Sequence, residues 1–295
     1  MTSTPVLEAR PDVGEPRKRV RRRRPSRSAS RTLNATSGLG LGVAMIWFSL
    51  LVLIPLAAII VKASGGGWHT YADTLSNSQT LDAIKLTVGT SLLVTALNMV
   101  MGTIIAWVLV RDRFPGKALL DLVIDIPFAL PTIVAGLVLL SLYGADSPLG
   151  LHFANTRSAV FLAIAFVTLP FVVRTVQPVL EEMETDVEDA AASLGASRAV
   201  TFRRVVLPTL VPAIFAGASL SFARGISEYG SLVLLSGNLP HRTEVTSVRV
   251  MSYLEGGDTA AAASVATVLL VVALLAIVSL DIIARRVARR DGRNG

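Results

Sequence analysis

The sequence has no cysteine and only three histidines among its 295 residues. The lack of cysteine excludes disulfides, thiolate metal sites and a cysteine nucleophile, and it leaves the redox compartment undetermined. Charged residues are scarce too, at 17%, whereas 52% of residues are hydrophobic and the mean hydropathy is +0.60. This composition is too apolar for a soluble domain of this length, and it indicates a polytopic membrane protein.

Motifs of nucleotide and metal chemistry are missing as well. No G-x4-G-K-[ST] sequence occurs, so the chain does not bind ATP in the usual way by itself. There is no H-E-x-x-H sequence either, and His69, His152 and His241 all fall between the long apolar segments. An intramembrane enzyme would need catalytic residues at membrane depth, so we expect that the chain is not an enzyme.

The excess of basic charge lies in the N-terminal tail. Ten of the 28 Lys and Arg residues, but only three of the 21 acidic residues, precede Thr32. We interpret residues 1–38 as a basic, disordered cytoplasmic tail that lies against anionic lipid headgroups. A nucleic-acid-binding arm and a signal peptide are alternatives, but the apolar run that follows exceeds 20 residues and lacks a small-residue cleavage site. Because the rest of the chain is charge-balanced, we expect no nucleic-acid partner.

Six segments supply the roughly 20 apolar residues that a helix needs to cross the hydrocarbon core. They predict an all-α membrane protein with transmembrane helices at roughly 40–62, 84–110, 118–143, 158–179, 208–229 and 259–284. Prolines predict kinks or interrupted turns in three of these helices, at Pro55, Pro127, Pro131, Pro170 and Pro178. Residues 39–285 then form the transmembrane domain, and residues 286–295 form a second basic cytoplasmic tail.

The distribution of basic residues predicts the orientation in the membrane. With the N-terminus inside, 22 of the 28 Lys and Arg residues fall on the cytoplasmic side. The other six lie outside or within the membrane: Lys62, Lys85, Arg157, Arg224, Arg242 and Arg249. The positive-inside rule therefore gives cytoplasmic N- and C-termini.

The longest cytoplasmic connection, residues 180–207, has helical periodicity in its first half. Apolar residues recur there on one helical stripe: Leu180, Met183, Val187, Ala191 and Leu194. Gly195 can end this helix, Ser197 can cap the next one, and Pro208 can open the fifth span. The pattern predicts a helix, a turn and a short helix along the cytoplasmic face.

The same connection carries a spaced motif. Asp189-Ala190-Ala191, three residues, Gly195, nine residues, Val205, one residue and Leu207-Pro208 resembles the EAA loop of ATP-binding-cassette importer permeases, E-A-A-x3-G-x9-I-x-L-P. Asp and Val replace the usual Glu and Ile, and both keep the character of the residue they replace. The resemblance implies that an ATPase-coupling loop is formed by Asp189, Ala190, Ala191, Gly195, Leu207 and Pro208. Small side chains also suit a helix that docks closely in a cleft of another protein.

Three longer stretches resemble the sulfate/thiosulfate importer permeases. They are LVIDIPFALPTIVAG (122–136), LPFVVRTVQPVLEE (169–182) and the region 221–266. The S-E-Y-G-S and S-G-N-L-P-H-R-T-E sequences in the last region resemble the T-type subunit, and molybdate permeases differ there. The resemblance covers most of residues 39–285 and implies the type I importer fold in a bacterial inner membrane. It also implies a W-type second permease, an ATPase dimer that binds ATP and Mg, an external sulfate/thiosulfate-binding protein, and no cofactor in this chain.

Candidate contacts for the anion follow from the cost of charge in a membrane. Sulfate is a dianion, and a basic residue within a span is expensive enough to indicate a function. Arg224 lies in the second half of the predicted fifth span, with Glu228 four residues later. Ser221, Ser227 and also Ser219 can donate hydroxyl groups. The alternatives are a local Arg–Glu ion pair and serines that serve close helix packing.

Asp121 and Asp125 form an i, i+4 pair at the cytoplasmic start of the predicted third span. Carboxylates near a helix N-terminus are stabilised by the helix dipole, which is the interpretation we favour. An acidic pair repels sulfate, so we expect no anion site there.

The external segment 234–258 carries several charged residues, including Arg242, Glu244 and Arg249. Two interpretations stay open for it. It forms part of a docking surface or gate for a binding protein, or it is a solvated loop with ordinary charges.

Two other functional classes compete with an importer of sulfate. A secondary transporter also has charged residues within its spans, but it has no need of an ATPase-coupling loop. A permease for molybdate or tungstate is the nearer alternative, because tetrahedral dianions are held by similar donors.

Overall fold

The computed structural model of the protein describes residues 35–291. The chain divides into two units, residues 1–51 and 52–295. The described part of the first unit is helix α1 (Ala35–Phe48) with the first residues of a π-helical turn, Ser49–Leu53, that continues into the second unit. Of the two predicted tails, residues 1–34 and 292–295 lie outside the described residues.

The second unit is built from helices, and its described residues contain no β-strand. The helices are α2 (Ile54–Gly65), α3 (Gly67–Ser76), α4 (Ser78–Arg111), α5 (Lys117–Ala129), α6 (Thr132–Tyr143), α7 (Arg157–Glu182), α8 (Thr185–Ser193), α9 (Arg198–Thr201), α10 (Leu207–Ile226), α11 (Gly230–Leu235), α12 (Thr246–Glu255) and α13 (Thr259–Asp291). A π-helical turn, Phe202–Val206, joins α9 to α10.

Among the described residues, five helical stretches are long and apolar enough to cross a membrane. They are Gly38–Gly65, Ser78–Arg111, Arg157–Glu182, Arg198–Ile226 and Thr259–Val287. The pair α5 and α6 raises the number to six if it is counted as one bent span. The all-α membrane fold predicted from the apolar segments is therefore confirmed.

The third predicted span, 118–143, is not one continuous helix. The helix axis bends by 118° between α5 and α6. Leu130, just before Pro131, has extended backbone angles, φ −86° and ψ 134°. A residue that precedes proline is disfavoured in the helical region, and proline itself donates no backbone N–H. Pro127, Pro170 and Pro178 remain inside helices, so the predicted interruption is largest at Pro131.

The centre of the second unit is the packing of α4 against α7 and α10. Small and polar residues line the buried face of α4: Thr80, Thr87, Ser91, Thr95, Asn98 and Gly102. A Cβ at Gly102 would lie 2.8 Å from the Cβ of Val172. Asn98 donates through Nδ2 to Thr168 Oγ1 at 2.9 Å and to Ser221 Oγ at 3.2 Å. Small residues and interhelical hydrogen bonds are the usual means of close helix association in a membrane.

The short helices α6 and α11 also approach each other closely. A Cβ at Gly136 would lie 2.8 Å from Ser231 Cα and 3.0 Å from its carbonyl oxygen. Both of these neighbours are backbone atoms, so a side chain at position 136 cannot be accommodated by a rotamer change.

Replacement of Gly136 by valine is therefore expected to force α11 away from α6. Overpacking of this kind costs about 1–3 kcal/mol, so the melting temperature of the purified protein should fall. Thermal unfolding in detergent, followed by intrinsic fluorescence, measures the effect. Gly89→Val is the matched control, because nothing lies within 4 Å of a Cβ at Gly89 in the middle of α4. Equal melting temperatures for the two variants would contradict the role given to Gly136.

Candidate functional site

The predicted coupling loop folds into two short helices, which we call the α8–α9 hairpin (residues 183–206). Gly195 has a positive φ of +83°, which lets the chain turn after α8. The Ala196 N–H donates to the Ala191 carbonyl at 3.0 Å, and this bond closes the turn. Ser197 caps α9, since its Oγ accepts the Val200 N–H at 3.4 Å. The predicted order of helix, turn and short helix is what the structure has.

The predicted apolar stripe from Leu180 to Leu194 is wrong as a single helix face. α7 ends at Glu182 and α8 begins at Thr185, because Met183 and Glu184 have extended backbone angles. Leu180, near the end of α7, is fully buried in the core, whereas Leu194 is 90% exposed beside the turn. The two halves of the stripe therefore face different surroundings.

The structure separates the motif residues into two groups. Asp189, Ala190 and Gly195 are exposed on the hairpin, and Ala191 is partly exposed. Leu207 and Pro208 lie in the first turn of α10, where Leu207 packs against a core cluster that includes Val176 and Leu210. The first group forms an accessible surface of small residues with one carboxylate. The second group fixes the hairpin to a long helix, and the coupling role of both groups stays a prediction.

Arg111, the last residue of α4, connects the core to the hairpin. Its Nε and Nη2 lie 3.0 Å and 2.8 Å from Glu188 Oε1. Its Nη2 also donates to the Met183 carbonyl oxygen at 3.2 Å, a group left without a helical partner where α7 ends. One turn earlier, the Trp107 ring meets Phe202 edge to face, with 5.3 Å between ring centroids. The two halves of the hairpin are therefore each held by α4.

A groove of about 770 Å³ separates α4 from the hairpin between these contacts. Its walls include Thr103 and Ile104 on α4, and Asp189, Ala192 and Ala199 on the hairpin. Asp189 thus lies at the edge of a cleft within its own chain as well as on the exposed surface.

The predicted anion contacts lie where α10 ends. Arg224 is in the last turn of α10, and Glu228 follows the end of the helix at Ile226. The Glu228 side chain is completely buried, whereas that of Arg224 is 36% exposed. Glu228 Oε1 accepts the Ser231 N–H and the Ser231 hydroxyl, each at 3.0 Å. Glu228 therefore caps the start of α11.

Arg224 and Glu228 lie close enough for an ion pair, but their geometry does not give a hydrogen bond. Glu228 Oε2 lies 3.2 Å from Arg224 Nη2, yet it makes no hydrogen bond of acceptable geometry. The two charges still attract each other at this distance, and the 36% exposure of the Arg224 side chain to water weakens that attraction. The local ion pair that the sequence offered as an alternative is present, and it leaves part of the Arg224 side chain accessible.

The three candidate serines all make hydrogen bonds within the protein. Ser221 is buried and accepts from Asn98 Nδ2. Ser227 donates to the Arg224 carbonyl oxygen at 3.1 Å, and Ser219 donates to that of Phe215 at 2.9 Å. Ser221 therefore contributes to helix packing, and a role for these serines in a substrate path stays a prediction.

Arg174 forms an ionic cluster that sequence reasoning missed. Its Nε donates to Asp125 Oδ1 at 2.8 Å and its Nη1 donates to Asp121 Oδ1 at 2.7 Å. Its Nη2 also donates to the Asp121 carbonyl oxygen at 3.0 Å. An arginine on α7 thus stabilises the acidic pair on α5 directly, where the sequence suggested the helix dipole alone. In the sequence, the cluster was visible as a single arginine in one apolar segment and two carboxylates in another, with nothing to indicate that they pair.

The segment 234–258 is not a solvated loop. Thr243, Glu244 and Thr246 are buried, and α12 packs on α13 and α4. Gln79 donates to Glu244 Oε2 at 2.7 Å, and the Thr246 N–H donates to Thr87 Oγ1 at 2.8 Å. The interpretation as an ordinary solvated loop is therefore wrong, because these side chains tie the segment to α4.

No group of three or more His, Asp or Glu side chains within residues 35–291 is arranged to hold a metal ion. The expectation that this chain carries no cofactor stays a prediction.

The long packed helices and the hairpin before α10 define a permease of the kind found in ATP-driven importers. The chain belongs to the family described as "Binding-protein-dependent transport system inner membrane component", whose sequence profile matches residues 98–291. It is 42% identical over 259 residues to the sulfate transport system permease protein CysT of Salmonella typhimurium, covering 85% of this chain and 94% of the relative. The protein of the same name from Escherichia coli is 40% identical over 259 residues, covering 85% of this chain and 94% of the relative.

Solved structures show the same fold at lower sequence identity. A chain of a bacterial alginate ABC transporter, crystallised with an alginate-bound periplasmic protein, superposes with a TM-score of 0.72 at 17% identity. The superposition covers 85% of this chain and 94% of that chain. A chain of the MetNI methionine ABC transporter gives a TM-score of 0.56 at 17% identity, covering 70% of this chain and 95% of that chain. The type I importer fold implied by the motif is therefore confirmed.

Proposed function

We propose that this chain is a transmembrane permease subunit of an ATP-driven importer for sulfate or thiosulfate. The observation that carries the proposal is the exposed α8–α9 hairpin, with its motif of small residues and one carboxylate, in a relative of named sulfate permeases. The chain supplies the path and the coupling surface. ATP and Mg are bound by a separate subunit, so this chain is not an enzyme by itself.

The proposed assembly has four kinds of component. A W-type permease pairs with this chain as a heterodimer, and an ATPase dimer docks beneath the two permeases. A sulfate/thiosulfate-binding protein delivers the anion from outside. The apolar spans support a membrane location, which we propose is the bacterial inner membrane, and the distribution of basic residues favours cytoplasmic N- and C-termini.

The proposed mechanism is alternating access. The hairpin moves with the ATPase dimer as that dimer closes on ATP, and the two permeases rock to open the path outward. Hydrolysis then resets the assembly. Because Leu207 and Pro208 begin α10 directly after the hairpin, movement of the hairpin is passed to a helix that packs against α4, α7 and α13.

Arg224 is the proposed contact for the anion at the end of α10. Its side chain is partly accessible, and the completely buried side chain of Glu228 lies beside it. That arrangement favours direct contact through Arg224 and a positioning role for Glu228. Ser221 and Ser227 are secondary candidates, because their hydroxyls already bond within the protein.

The substrate is tested by deleting the gene in the native host and measuring uptake by sulfur-starved cells. Radiolabelled sulfate uptake is expected to fall to the background level and to return when the gene is restored. Molybdate uptake should change little. Unchanged sulfate uptake would contradict the proposed substrate, and a selective loss of molybdate uptake would favour the alternative oxyanion.

A further inference from the structure

Arg111 makes an ionic contact that is shielded from water. Only 14% of the Arg111 side chain and 22% of the Glu188 side chain are exposed. Two guanidinium nitrogens approach the same carboxylate oxygen, and the third contact goes to the Met183 backbone. An ion pair on an open surface contributes little, but a partly buried pair is screened less and holds its geometry better. Arg111 is therefore a firm connection between α4 and the first half of the hairpin.

Trp107 provides a second connection, to the other half of the hairpin. Its ring meets Phe202 at an interplanar angle of 85°, the edge-to-face arrangement that aromatic pairs favour. Arg111 also lies over the Trp107 ring, with its guanidinium carbon 6.0 Å from the ring centroid. The two connections are thus themselves in contact, one turn apart on α4.

The backbone of α8 does not pack along α4. Between the helices lies the groove described above, walled by Ile104, Ala192 and Ala199 among others. α4 instead packs closely on α7 and α10 along its length. Displacement of the hairpin therefore reaches α4 by two routes, indirectly through α10, which continues from the hairpin, and directly through the side chains of Arg111 and Trp107.

We propose that Arg111 and Trp107 are positioning residues that transmit displacement of the hairpin to α4. This inference rests on the proposed function, in which the hairpin is displaced by an ATPase. Glu188 directly precedes Asp189, the acidic residue of the motif, so a push on the motif surface acts at once on the ion pair. Loss of the pair leaves the hairpin able to dock and to move α10, while its direct connection to α4 is weakened.

The test uses the complete transporter, reconstituted in liposomes with its second permease, ATPase and binding protein. For Arg111→Ala, the sulfate taken up per ATP hydrolysed is expected to fall about tenfold, a usual size for loss of a coupling contact. Arg111→Glu and Glu188→Arg should each show the same loss. The double variant R111E/E188R reverses the pair and should recover most of the coupling. Arg113→Ala, at an exposed position just beyond α4, is the matched control and should behave like the unaltered protein.

The natural absence of cysteine allows a structural measurement alongside the transport assay. Asp112→Cys and Ala192→Cys place spin labels on two residues that line the groove, one just after α4 and one on α8. In the otherwise unaltered protein their separation should stay constant between the nucleotide-free and ATP-trapped states. In Arg111→Ala the separation should change on ATP trapping, since the hairpin then moves without its direct connection to α4.

Two results would overturn the inference. One is normal uptake per ATP in Arg111→Ala, and the other is a failure of the charge reversal to recover coupling in a transporter that assembles normally by gel filtration. A transporter with the unaltered chain that takes up no sulfate would instead contradict the proposed function. The two failures are therefore distinguishable.

Discussion

Replacement of Gly195 by arginine is expected to abolish ATP-driven sulfate uptake while leaving the protein inserted in the membrane. Nothing lies within 4 Å of a Cβ at this position, so the fold has room for a side chain. The positive φ of +83° costs a non-glycine residue about 1–2 kcal/mol, and that cost is local to the turn. The main effect is a long cation on the small-residue surface that is proposed to enter the ATPase cleft.

Uptake of radiolabelled sulfate by cells carrying Gly195→Arg measures this effect, and immunoblotting of the membrane fraction measures insertion. Gly195→Asn is the matched control, because asparagine accepts the left-handed conformation and has a short side chain. We expect the Asn variant to retain most of the uptake. Normal uptake by the Arg variant would show that this surface does not dock against a partner.

Replacement of Glu228 by alanine is expected to be the most destabilising single change at the end of α10. The variant leaves the buried Ser231 N–H without its acceptor and removes the charge beside Arg224. An unsatisfied buried donor costs about 1–3 kcal/mol, and because the Arg224 side chain is 36% exposed, the charge left behind adds little to that cost. The Ser231 contacts start α11, which packs on α6, so the damage should spread to the close approach at Gly136.

The melting temperature in detergent and the yield of monodisperse protein measure the loss. Glu228→Gln should lie between alanine and the unaltered protein, since its amide oxygen still accepts from Ser231 while the charge is gone. Glu255→Ala serves as the control, because Glu255 is exposed at the end of α12. If Glu228→Ala melted at the same temperature as that control, the capping role of Glu228 would be wrong.

Features that depend on a few neighbouring residues could be predicted from the sequence. The long spans follow from apolar runs, and the turn at Gly195 with the cap at Ser197 follows from residues that act within one helical turn. The interruption at Pro131 was visible for the same reason. Its angle was not, because the direction taken after a proline depends on what the following helix packs against.

Features that join distant segments could not be predicted. Nothing near Asp121 or Asp125 in the sequence indicates that Arg174 binds both, since the pairing depends on how α5 and α7 are placed. The same holds for Arg111 with Glu188 and for the Asn98 hydrogen bonds to α7 and α10. The predicted apolar stripe through Met183 was wrong because periodicity does not indicate where α7 ends. Arg111 donates a hydrogen bond to the Met183 carbonyl oxygen just after that end.

Leu194 gives the hairpin a property that its small residues do not suggest. An aliphatic side chain that is 90% exposed beside the turn is suited to insertion into an apolar pocket of a docking partner. Covering a leucine fully is worth about 1.5–3 kcal/mol, which corresponds to roughly a tenfold to hundredfold gain in affinity. Within the proposed assembly, Leu194 contributes binding free energy, while the neighbouring alanines allow the close approach of the ATPase. In a chain produced without its ATPase, Leu194 stays exposed to solvent, and we expect that chain to associate non-specifically with other apolar surfaces.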